Sequence, residues 1–373
     1  MRIVIIGGGI AGLVFGTLMS RRGHEVVINE RADGIPLNGN AFMVHGEGLA
    51  LLRELGETVD LPGQPIDSFL MKRPDGQEVR YIKMDPWQCI KRSDLIRYLV
   101  PLFGAEHMQY GRDFAHFNYE GGKAVAAVFE DGTVETGDLF IGSDGRHSKV
   151  RESILGETQF SPVEVHEILG LIRDPAMVAE APTVFQKFQD AEKGLSFGYI
   201  PYSSEELIWF IQYDKNLLPD ELRTKEALRA AALELTRDFP DRVRDLVNRT
   251  DFDAAYLWKT QDFSPLPRFH SHNIVLMGDA AHVALPFTSA GTTNAIYDAR
   301  TLVGCMERYS ELSEAFVAYY KQRIGAVSEH VRWGRQLKQA FLNPKDVLDD
   351  QLETPLISKL TGQAESIKNK SSL

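Results

Sequence analysis

The sequence is poor in cysteine, and this limits the chemistry that the chain can carry. Only Cys89 and Cys305 occur among 373 residues, at a spacing that suits neither a disulfide framework nor a metal site. We therefore predict no metal centre and a reducing, cytoplasmic setting. A Ser-His-Asp arrangement for nucleophilic catalysis is also missing.

Long apolar runs and an excess of positive charge are absent as well. No stretch of about 18 apolar residues occurs, so we predict no membrane span. The formal net charge of −11 argues against nucleic acid or an anionic membrane surface as a main partner. What remains is an ordinary globular composition on a chain long enough for two closely connected domains.

The first thirty residues contain the strongest motif. Residues 2–6 are continuously apolar, which is typical of a strand buried on both faces. Gly-Gly-Gly-Ile-Ala-Gly follows at 7–12, then a helical segment at 13–19, an apolar strand at 26–28 and Glu30. Strand, G-x-G-x-x-G loop, helix, strand and terminal acid form the complete dinucleotide-binding fingerprint. A glycine-rich turn without a ligand is the alternative, but the complete context favours a nucleotide site.

Each part of this motif has a physical role. Gly7 permits the tight turn, Gly9 lets the backbone approach a pyrophosphate, and Gly12 lets the helix pack closely on the sheet. The free N–H groups and the positive dipole end at the start of the helix hold the anion. Glu30 is spaced to accept hydrogen bonds from ribose hydroxyls.

The next stretch predicts an α/β arrangement with an inserted meander. We predict a loop at 33–40, a helix at 46–55, a hairpin with strands 69–72 and 79–82, and a helix capped by Ser93 or Asp94. Three short strands follow from Phe114, and the next apolar strand ends in Asp144-Gly145.

Residues 163–247 predict a second sheet. Apolar strands are expected at 163–171, 183–189, 195–200 and 207–213, with a covering helix over 222–247. The block has no phosphate-binding glycines and is interpreted as a substrate-facing sheet. Strand alternation places a minority of its aromatic side chains on a ligand face. The substrate-pocket candidates are Phe188, Tyr199, Trp209 and Tyr213, together with His45, which could instead cap or pack the helix that follows it.

The last third repeats the combination of strand, glycine and acid. Strand 274–277 ends in Gly278-Asp279, a loop at 286–291 follows, and helices begin near Thr292 and Ser313, with a polar tail beyond Asn343. Ligands of doubly wound sheets lie beyond the carboxyl ends of the strands. The three strand ends can therefore converge on one long ligand.

With these three motifs in order, the chain resembles the aromatic-hydroxylase-type flavoprotein monooxygenases, the p-hydroxybenzoate hydroxylase family, over roughly residues 1–330. The resemblance implies an α/β fold with three parts. These are a glutathione-reductase-like, Rossmann-type FAD-binding domain (1–68, 88–160 and 266–330), an inserted mixed β-sheet substrate domain (69–87 and 161–265), and a C-terminal helix and tail (331–373).

The resemblance also implies roles for particular residues. The first glycine motif and Glu30 hold the pyrophosphate and adenosine ribose of FAD, Arg92 contacts FAD, and Asp144 serves both FAD and NAD(P)H. Asp279 binds the ribityl chain, and Pro286 lies beside the isoalloxazine ring. The full set of cofactor-binding candidates is Gly7, Gly9, Ile10, Ala11, Gly12, Glu30, Arg31, Arg92, Asp144, Gly278, Asp279, Pro286, Gly291, Thr292 and Thr293.

One segment departs from the family pattern. After the proline the family usually has G-Q-G-x-N, whereas this chain has Ser289-Ala290-Gly291-Thr292-Thr293. Gly291 is retained. A helix that starts near Thr292 still directs its N–H groups and positive dipole end at the flavin, where they would stabilise the anionic reduced form.

The function implied by the resemblance is that of a single-component monooxygenase. FAD, bound non-covalently, is reduced by NADH or NADPH, which visits transiently because only one G-x-G-x-x-G is present. A flavin hydroperoxide then hydroxylates a small aromatic or polyketide-like substrate with O₂. No side chain is predicted to be catalytic, because the flavin carries the chemistry.

Two alternatives remain at this point. A flavin-dependent halogenase or double-bond reductase could share the fold, but halogenases carry W-x-W-x-I-P, and residues 197–201 keep only Ile-Pro. A flavin-free binding or escort protein is the other alternative. The intact first motif, Glu30 and Asp279 argue against it.

Overall fold

The computed structural model describes residues 1–35, 40–218 and 222–346, and within them it contains three β-sheets with covering helices. The strands are, in chain order, β1 (Arg2–Ile6), β2 (Glu25–Asn29), β3 (Ala41–Val44), β4 (Gln64–Lys72), β5 (Glu78–Lys91), β6 (Met108–Gln109), β7 (Phe114–Glu120), β8 (Lys123–Phe129), β9 (Val134–Thr136), β10 (Leu139–Gly142), β11 (Val165–Arg173), β12 (Val184–Gln189), β13 (Leu195–Pro201), β14 (Glu206–Asp214), β15 (Tyr256–Lys259), β16 (His270–Ser271) and β17 (Ile274–Leu276). The α-helices are α1 (Ile10–Ser20), α2 (Gly46–Gly56), α3 (Arg92–Phe103), α4 (Lys149–Leu155), α5 (Pro175–Glu180), α6 (Lys225–Leu235), α7 (Asp241–Arg249), α8 (Gly291–Arg308) and α9 (Leu312–Leu342).

The first sheet has six strands in the order β16-β17-β10-β1-β2-β6. β1 pairs in parallel with β2 and β10, and β10 pairs in parallel with β17. Ile3, Val4 and Ile5 are fully buried, as expected for a continuously apolar strand covered on both faces. The predicted meander is confirmed as a separate sheet, β7-β8-β9. It packs on the first sheet through Phe117 and Phe140, whose ring centroids are 5.2 Å apart.

The second sheet has eight strands in the order β15-β11-β14-β13-β12-β4-β5-β3. It is antiparallel except between β12 and β4, which pair in parallel. The predicted hairpin is confirmed as part of β4 and β5, which are both longer than expected. One face of this sheet packs on α6 and α7 in a compact apolar cluster, and the opposite face is turned towards the first sheet.

Two local predictions are wrong. Helix α3 begins at Arg92 with Lys91 as its N-cap residue, so neither Ser93 nor Asp94 caps it. The reason is that Lys91 still pairs with Ala41 at the end of β5. The helix predicted over 222–247 is divided into α6 and α7, because Pro240 disfavours helix at the residue before it and itself precedes α7.

The predicted domain boundaries fall close to sheet changes but not on them. The boundary at 68/69 lies inside β4 and the boundary at 87/88 lies inside β5, so neither coincides with the edge of the larger sheet. The division into FAD-binding and substrate parts stays a prediction. Residues 36–39 of the predicted loop and residues 347–373 of the predicted tail lie outside the described residues.

Helix α9 runs past both large sheets. Near its middle Arg323 pairs with Asp298 of α8 at 2.6 Å, and further on Arg335 pairs with the buried Asp262 at 2.8 Å. Lys338 pairs with Glu164, which directly precedes β11. Neither α9 nor any other helix in the described ranges is apolar over a length that could cross a membrane.

Candidate functional site

The glycine loop after β1 has the close packing that the motif predicts. Gly7 has φ +106°, and a Cβ on it would lie 2.4 Å from the carbonyl oxygen of Ser143. A Cβ on Gly12 would lie 2.3 Å from the carbonyl oxygen of Gly7. A Cβ on Gly9 would instead meet nothing closer than the Arg92 guanidinium at 3.9 Å. The loop is therefore packed tightly against neighbouring backbone at Gly7 and Gly12, whereas at Gly9 it is open towards the cavity.

The N-terminus of α1 is available to an anion. Gly9 is its N-cap residue, and no side chain of the described residues caps the helix. The first N–H groups of an α-helix have no partner within the helix, so Ile10, Ala11 and Gly12 direct free donors out of the loop. Both Ile10 and Ala11 line the cavity that begins here.

Glu30 is held in place by backbone donors at the end of β2. Its Oε2 accepts from the Gly8 N–H at 2.7 Å, and its Oε1 accepts from the Ala32 N–H at 2.9 Å. The carboxylate is thereby fixed against the glycine loop, beside the exposed Arg31. Glu30 is not among the residues that line the cavity, and its role as a ribose acceptor stays a prediction.

The three strand ends meet at one cavity of about 760 Å³. They are neighbours because β1, β10 and β17 are adjacent in the first sheet. Of the predicted cofactor residues, those that line the cavity are Gly9, Ile10, Ala11, Arg92, Gly278, Asp279, Pro286, Gly291 and Thr292.

Asp144 is used within the protein. Its Oδ1 accepts from the Ser148 hydroxyl at 2.5 Å and its Oδ2 from the Val150 N–H at 3.1 Å, so it holds the start of α4. Burial raises the pKa of Asp144, against the effect of these hydrogen bonds. The following residues, Gly145 and Arg146, line the cavity instead. Arg146 was missed, although it directly follows the acid and glycine in the sequence.

Asp279 projects into the cavity and is accessible through it. The surrounding protein desolvates this carboxylate and raises its pKa, while the charges of His282, Arg92 and Arg146 act in the opposite direction. An acid at a strand end, close to two arginines and open to the cavity, is suited to accept hydrogen bonds from hydroxyl groups of a ligand.

A buried ion network supports the segment that carries Asp279. Asp298 on α8 is fully buried. Its Oδ2 accepts from the Gly278 N–H at 2.8 Å and lies 2.6 Å from His282 Nε2, while its Oδ1 accepts from Arg323 Nε at 2.6 Å. The nearby cations lower the pKa of Asp298 to about 2, although burial alone would raise it.

The network extends to α8, the helix that follows the segment in which this chain differs from the family pattern. Arg323 also donates to Asn294 Oδ1 at 2.7 Å, and Asn294 Nδ2 lies 3.3 Å from His330 Nδ1. Asn294 and His330 both line the cavity. Sequence reasoning missed Arg323, Asn294 and His330, because polar and charged residues on amphipathic helices usually face solvent.

The helix predicted near Thr292 begins at Gly291, and in the part of the chain that the structure describes no side chain caps it. Its free N–H groups lie at the cavity wall next to Gly291 and Thr292. Thr293 is buried instead, and its hydroxyl accepts from the His45 N–H at 3.3 Å. Ser289, which replaces a glycine of the family pattern, has φ +50°, a conformation that glycine adopts more easily.

Four of the five substrate-pocket candidates lie away from the cavity. Phe188, Tyr199, Trp209 and Tyr213 belong to the apolar cluster on α6 and α7 and do not line the cavity. Side chains alternate along a strand, so the neighbours Ile200, Ile208, Phe210 and Gln212 face the cavity. The cavity-facing side chains of β11 to β14 are Glu167, Leu169, Leu171, Phe185, Ile200, Ile208, Phe210 and Gln212.

His45 is also outside the set of residues that line the cavity. Its ring stacks on Trp87, with centroids 4.7 Å apart. Burial, together with the positive field of His330, lowers the pKa of His45 to about 4. The packing interpretation of this histidine is therefore the one that the structure supports.

Comparison with known proteins identifies the family. A family described as "FAD binding domain" matches residues 1–309. The chain belongs to the FAD-dependent, aromatic-hydroxylase-type monooxygenases. It is 28% identical to the 3-amino-4-hydroxybenzoate 2-monooxygenase of Streptomyces cremeus, covering 92% of this chain and 88% of that protein. It is 24% identical to the FAD-dependent urate hydroxylase of Klebsiella pneumoniae, covering 90% of this chain and 89% of that protein.

The fold is shared with solved members of this group. The crystal structure of Klebsiella pneumoniae HpxO complexed with FAD and uric acid superposes with a TM-score of 0.83, at 21% identity, and covers 97% of this chain and 93% of that one. FAD is thus the cofactor of this chain, which is an oxidoreductase of the monooxygenase family. The site fits it: an uncapped helix, an open Gly9 and an accessible Asp279 lie along one elongated cavity.

Replacing Asp279 by alanine should weaken FAD binding while the protein stays folded. Loss of a charged hydrogen-bond partner costs about 1.5–3 kcal/mol, so the FAD dissociation constant should rise by about tenfold to a hundredfold. Titration of the flavin-free protein with FAD, followed by flavin fluorescence, measures this change. Asp60→Ala, at an exposed aspartate, is the control and should bind FAD normally. Equal affinities for the two variants would remove Asp279 from the site.

Proposed function

We propose that this chain is an NAD(P)H-consuming monooxygenase that hydroxylates a small aromatic or polyketide-like substrate. The observation that carries the proposal is the continuity of one cavity from the glycine loop to an aromatic and apolar face of the second sheet. We also propose that FAD is held non-covalently, that the fold is of the glutathione-reductase-like type, and that the protein works in the cytoplasm. Its two cysteines, both buried thiols without a disulfide, support the last point.

The names of the relatives support an aromatic substrate. The relatives named above act on 3-amino-4-hydroxybenzoate and on urate, which are both planar rings. In this chain Phe185 and Phe210 lie on the cavity face among Leu169, Ile200 and Ile208. A flat, largely apolar wall of this kind buries a ring effectively and leaves orientation to a few polar groups.

The chain's own residues would bind, orient and shield the reactants. The N–H groups of α1 and Arg92 would hold the pyrophosphate, and Asp279 would hold the ribityl hydroxyls. The start of α8 would place its positive end near the ring system, where it favours negative charge. Bound FAD would supply the redox chemistry, accepting a hydride from NADH or NADPH and transferring one oxygen atom from O₂ to the substrate.

The halogenase or reductase alternative gains no support from the structure. Phe197 and Tyr199, which stand where halogenases have tryptophans, belong to the cluster on α6 and α7 and do not face the cavity. A flavin-free escort function would leave the glycine loop, Glu30 and Asp279 without a ligand. Neither alternative explains the geometry as well as a monooxygenase does.

Substrate should accelerate NAD(P)H oxidation and receive oxygen from O₂. We expect slow oxidation by the purified yellow protein alone and a sharp rise with a matching electron-rich aromatic. In ¹⁸O₂, mass spectrometry of the product should show one labelled oxygen atom, with the second oxygen in water. A panel in which every aromatic yields only hydrogen peroxide, with no label in any product, would contradict the proposal.

A further inference from the structure

The cavity face of the second sheet is apolar except at one place. Among the described residues that the sheet contributes to the cavity, the side chains with polar atoms are Glu167, Gln212, Tyr256 and Trp258, the last directly opposite Glu167 on β15. Glu167 and Gln212 are directly opposite each other on β11 and β14, and each is only 4% exposed. A buried carboxylate is expensive unless hydrogen bonds compensate it, so its presence on this wall calls for a ligand-directed reason.

The protein itself satisfies only one oxygen of this carboxylate. Gln212 Nε2 donates to Glu167 Oε1 at 2.5 Å. The orientation of the Gln212 amide is fixed from its other end, because Lys187 Nζ donates to Gln212 Oε1 at 3.0 Å and the Ser196 hydroxyl donates to it at 3.3 Å. Within the described part of the chain no donor reaches Glu167 Oε2. This oxygen is left as an acceptor on the wall of the cavity.

Titratable groups on two strands interact with Glu167: Lys187 on β12 and Tyr256 on β15, of which only β15 is adjacent to β11. Burial raises the pKa of Glu167 to about 7, although the charge of Lys187 on β12 acts in the opposite direction. Burial also lowers the pKa of Lys187 to about 8. Tyr256 on β15 has its pKa raised, first by burial and then by the charge of Glu167. The pKa of Glu167 therefore lies near neutral pH, and the nearby cation Lys187 already donates to Gln212. Arg92 of α3 lines the same cavity, and its charge acts to lower the pKa of Tyr256.

Given the monooxygenase function proposed above, we propose that Glu167 is a specificity-determining residue that selects aromatic substrates with an N–H or O–H donor directed at Oε2 and disfavours those with a carboxylate at that end. The substrate class is thus an amino- or hydroxy-substituted ring, or a ring with its own N–H, whose other surface is apolar. A donor would complete the hydrogen bonds of the buried carboxylate, whereas a substrate carboxylate would place two like charges together in a dry site. Gln212 and Lys187 act as positioning residues for Glu167.

Ligand binding to the FAD-loaded protein tests this assignment without turnover. The probes are 2-aminophenol, 2-methoxy-N,N-dimethylaniline, which lacks the donors, and 2-hydroxybenzoate, and their dissociation constants are read from changes in flavin absorbance. The wild type should bind 2-aminophenol most tightly. In Glu167→Gln its affinity should fall about tenfold to a hundredfold, and the affinity for 2-hydroxybenzoate should rise. Glu205→Gln, at an exposed ion pair with Arg173, is the matched control and should behave as wild type.

The pH dependence separates recognition from a purely structural role. Below about pH 7 Glu167 is protonated, so the wild-type affinity for 2-aminophenol should increase between about pH 6 and pH 8. In Glu167→Gln this dependence should disappear. Lys187→Met removes the charge that lowers the pKa of Glu167, and it should move the midpoint to higher pH. This variant keeps the carboxylate and tests the assignment even where Glu167→Gln folds poorly.

Two results would overturn the inference and leave the monooxygenase function intact. One is a Glu167→Gln protein with wild-type affinities and pH profile that still oxidises NAD(P)H faster with an aromatic compound. The other is a wild-type preference for 2-hydroxybenzoate that leads to its hydroxylation. Ligands that bind as expected but never accelerate NAD(P)H oxidation would instead contradict the proposed function.

Discussion

Replacing Gly12 by alanine should weaken FAD binding and stability, whereas the same replacement at Gly304 should do neither. A Cβ on Gly12 would lie 2.3 Å from the Gly7 carbonyl oxygen and 2.7 Å from Ser143 Oγ. Since the nearer atom belongs to the backbone, α1 must shift away from β1, and its free N–H groups move with it. Overpacking of this kind costs about 1–3 kcal/mol, and a similar loss in binding raises the FAD dissociation constant by about fivefold to a hundredfold.

Gly304 is the matched control because it also lies inside a helix. No atom lies within 4 Å of a Cβ on Gly304 in α8, so alanine should stabilise the helix by about 0.5–1 kcal/mol. Urea unfolding of the flavin-free proteins and titration with FAD measure the two effects separately. A Gly12→Ala protein with wild-type stability and affinity would show that the close contact of α1 with β1 is not required.

Replacing Asp298 by leucine should destabilise the protein strongly. The substitution leaves the buried Arg323, the neighbouring His282 and the Gly278 N–H without their shared partner. Breaking a buried ion pair from one side costs about 3–5 kcal/mol. The double variant Asp298→Leu with Arg323→Met removes both charges and should therefore lose less than the two single variants together.

The Asp298 carboxylate also makes the stability of the wild type sensitive to acid. The folded-state pKa of Asp298 is about 2 against an ordinary value of 3.8, so folding favours its ionised form. That contribution is complete above about pH 4 and is lost as pH falls towards 2. Urea unfolding across this range should show part of the wild-type acid sensitivity missing in the double variant. Equal stabilities of the wild type and Asp298→Leu at pH 7 would contradict the role of the network.

The parts of the site that depend on local sequence could be predicted. Gly7, Gly9 and Gly12 act through backbone geometry over a few residues, and the strand ends at 144–145 and 278–279 follow from apolar runs that stop at a glycine and an acid. The prediction that these strand ends converge on one ligand required only the general rule that ligands of parallel sheets bind beyond the carboxyl ends of the strands. The structure places Gly9, Gly278 and Asp279 on one cavity, as that rule predicts.

The face of the second sheet could not be predicted in the same way. Phe188, Tyr199, Trp209 and Tyr213 share the face that packs on α6 and α7, whereas strand alternation alone leaves open which of its two faces meets the ligand. Direction depends on where α6 and α7 pack, which is a long-range property of the fold. The available signal was polar, because Glu167 and Gln212 interrupt apolar strands and mark the face that lines the cavity.

The ion network could not be predicted because its members are far apart in the sequence. Asp298 and Arg323 are separated by the end of α8 and the start of α9, and each alone resembles a residue on a solvated helix face. Only the packing of the two helices shows that these charges are buried.

Helix α9 limits how far this chain can be shortened without loss of its folded structure. The family match ends at residue 309, before α9 begins at Leu312. Yet α9 supplies Arg323 to Asp298 and contributes Val327 and His330 to the cavity wall. A chain shortened to the matched residues would expose that wall and leave a buried acid uncompensated. The smallest cooperative folding unit is therefore longer than the segment by which the family is recognised.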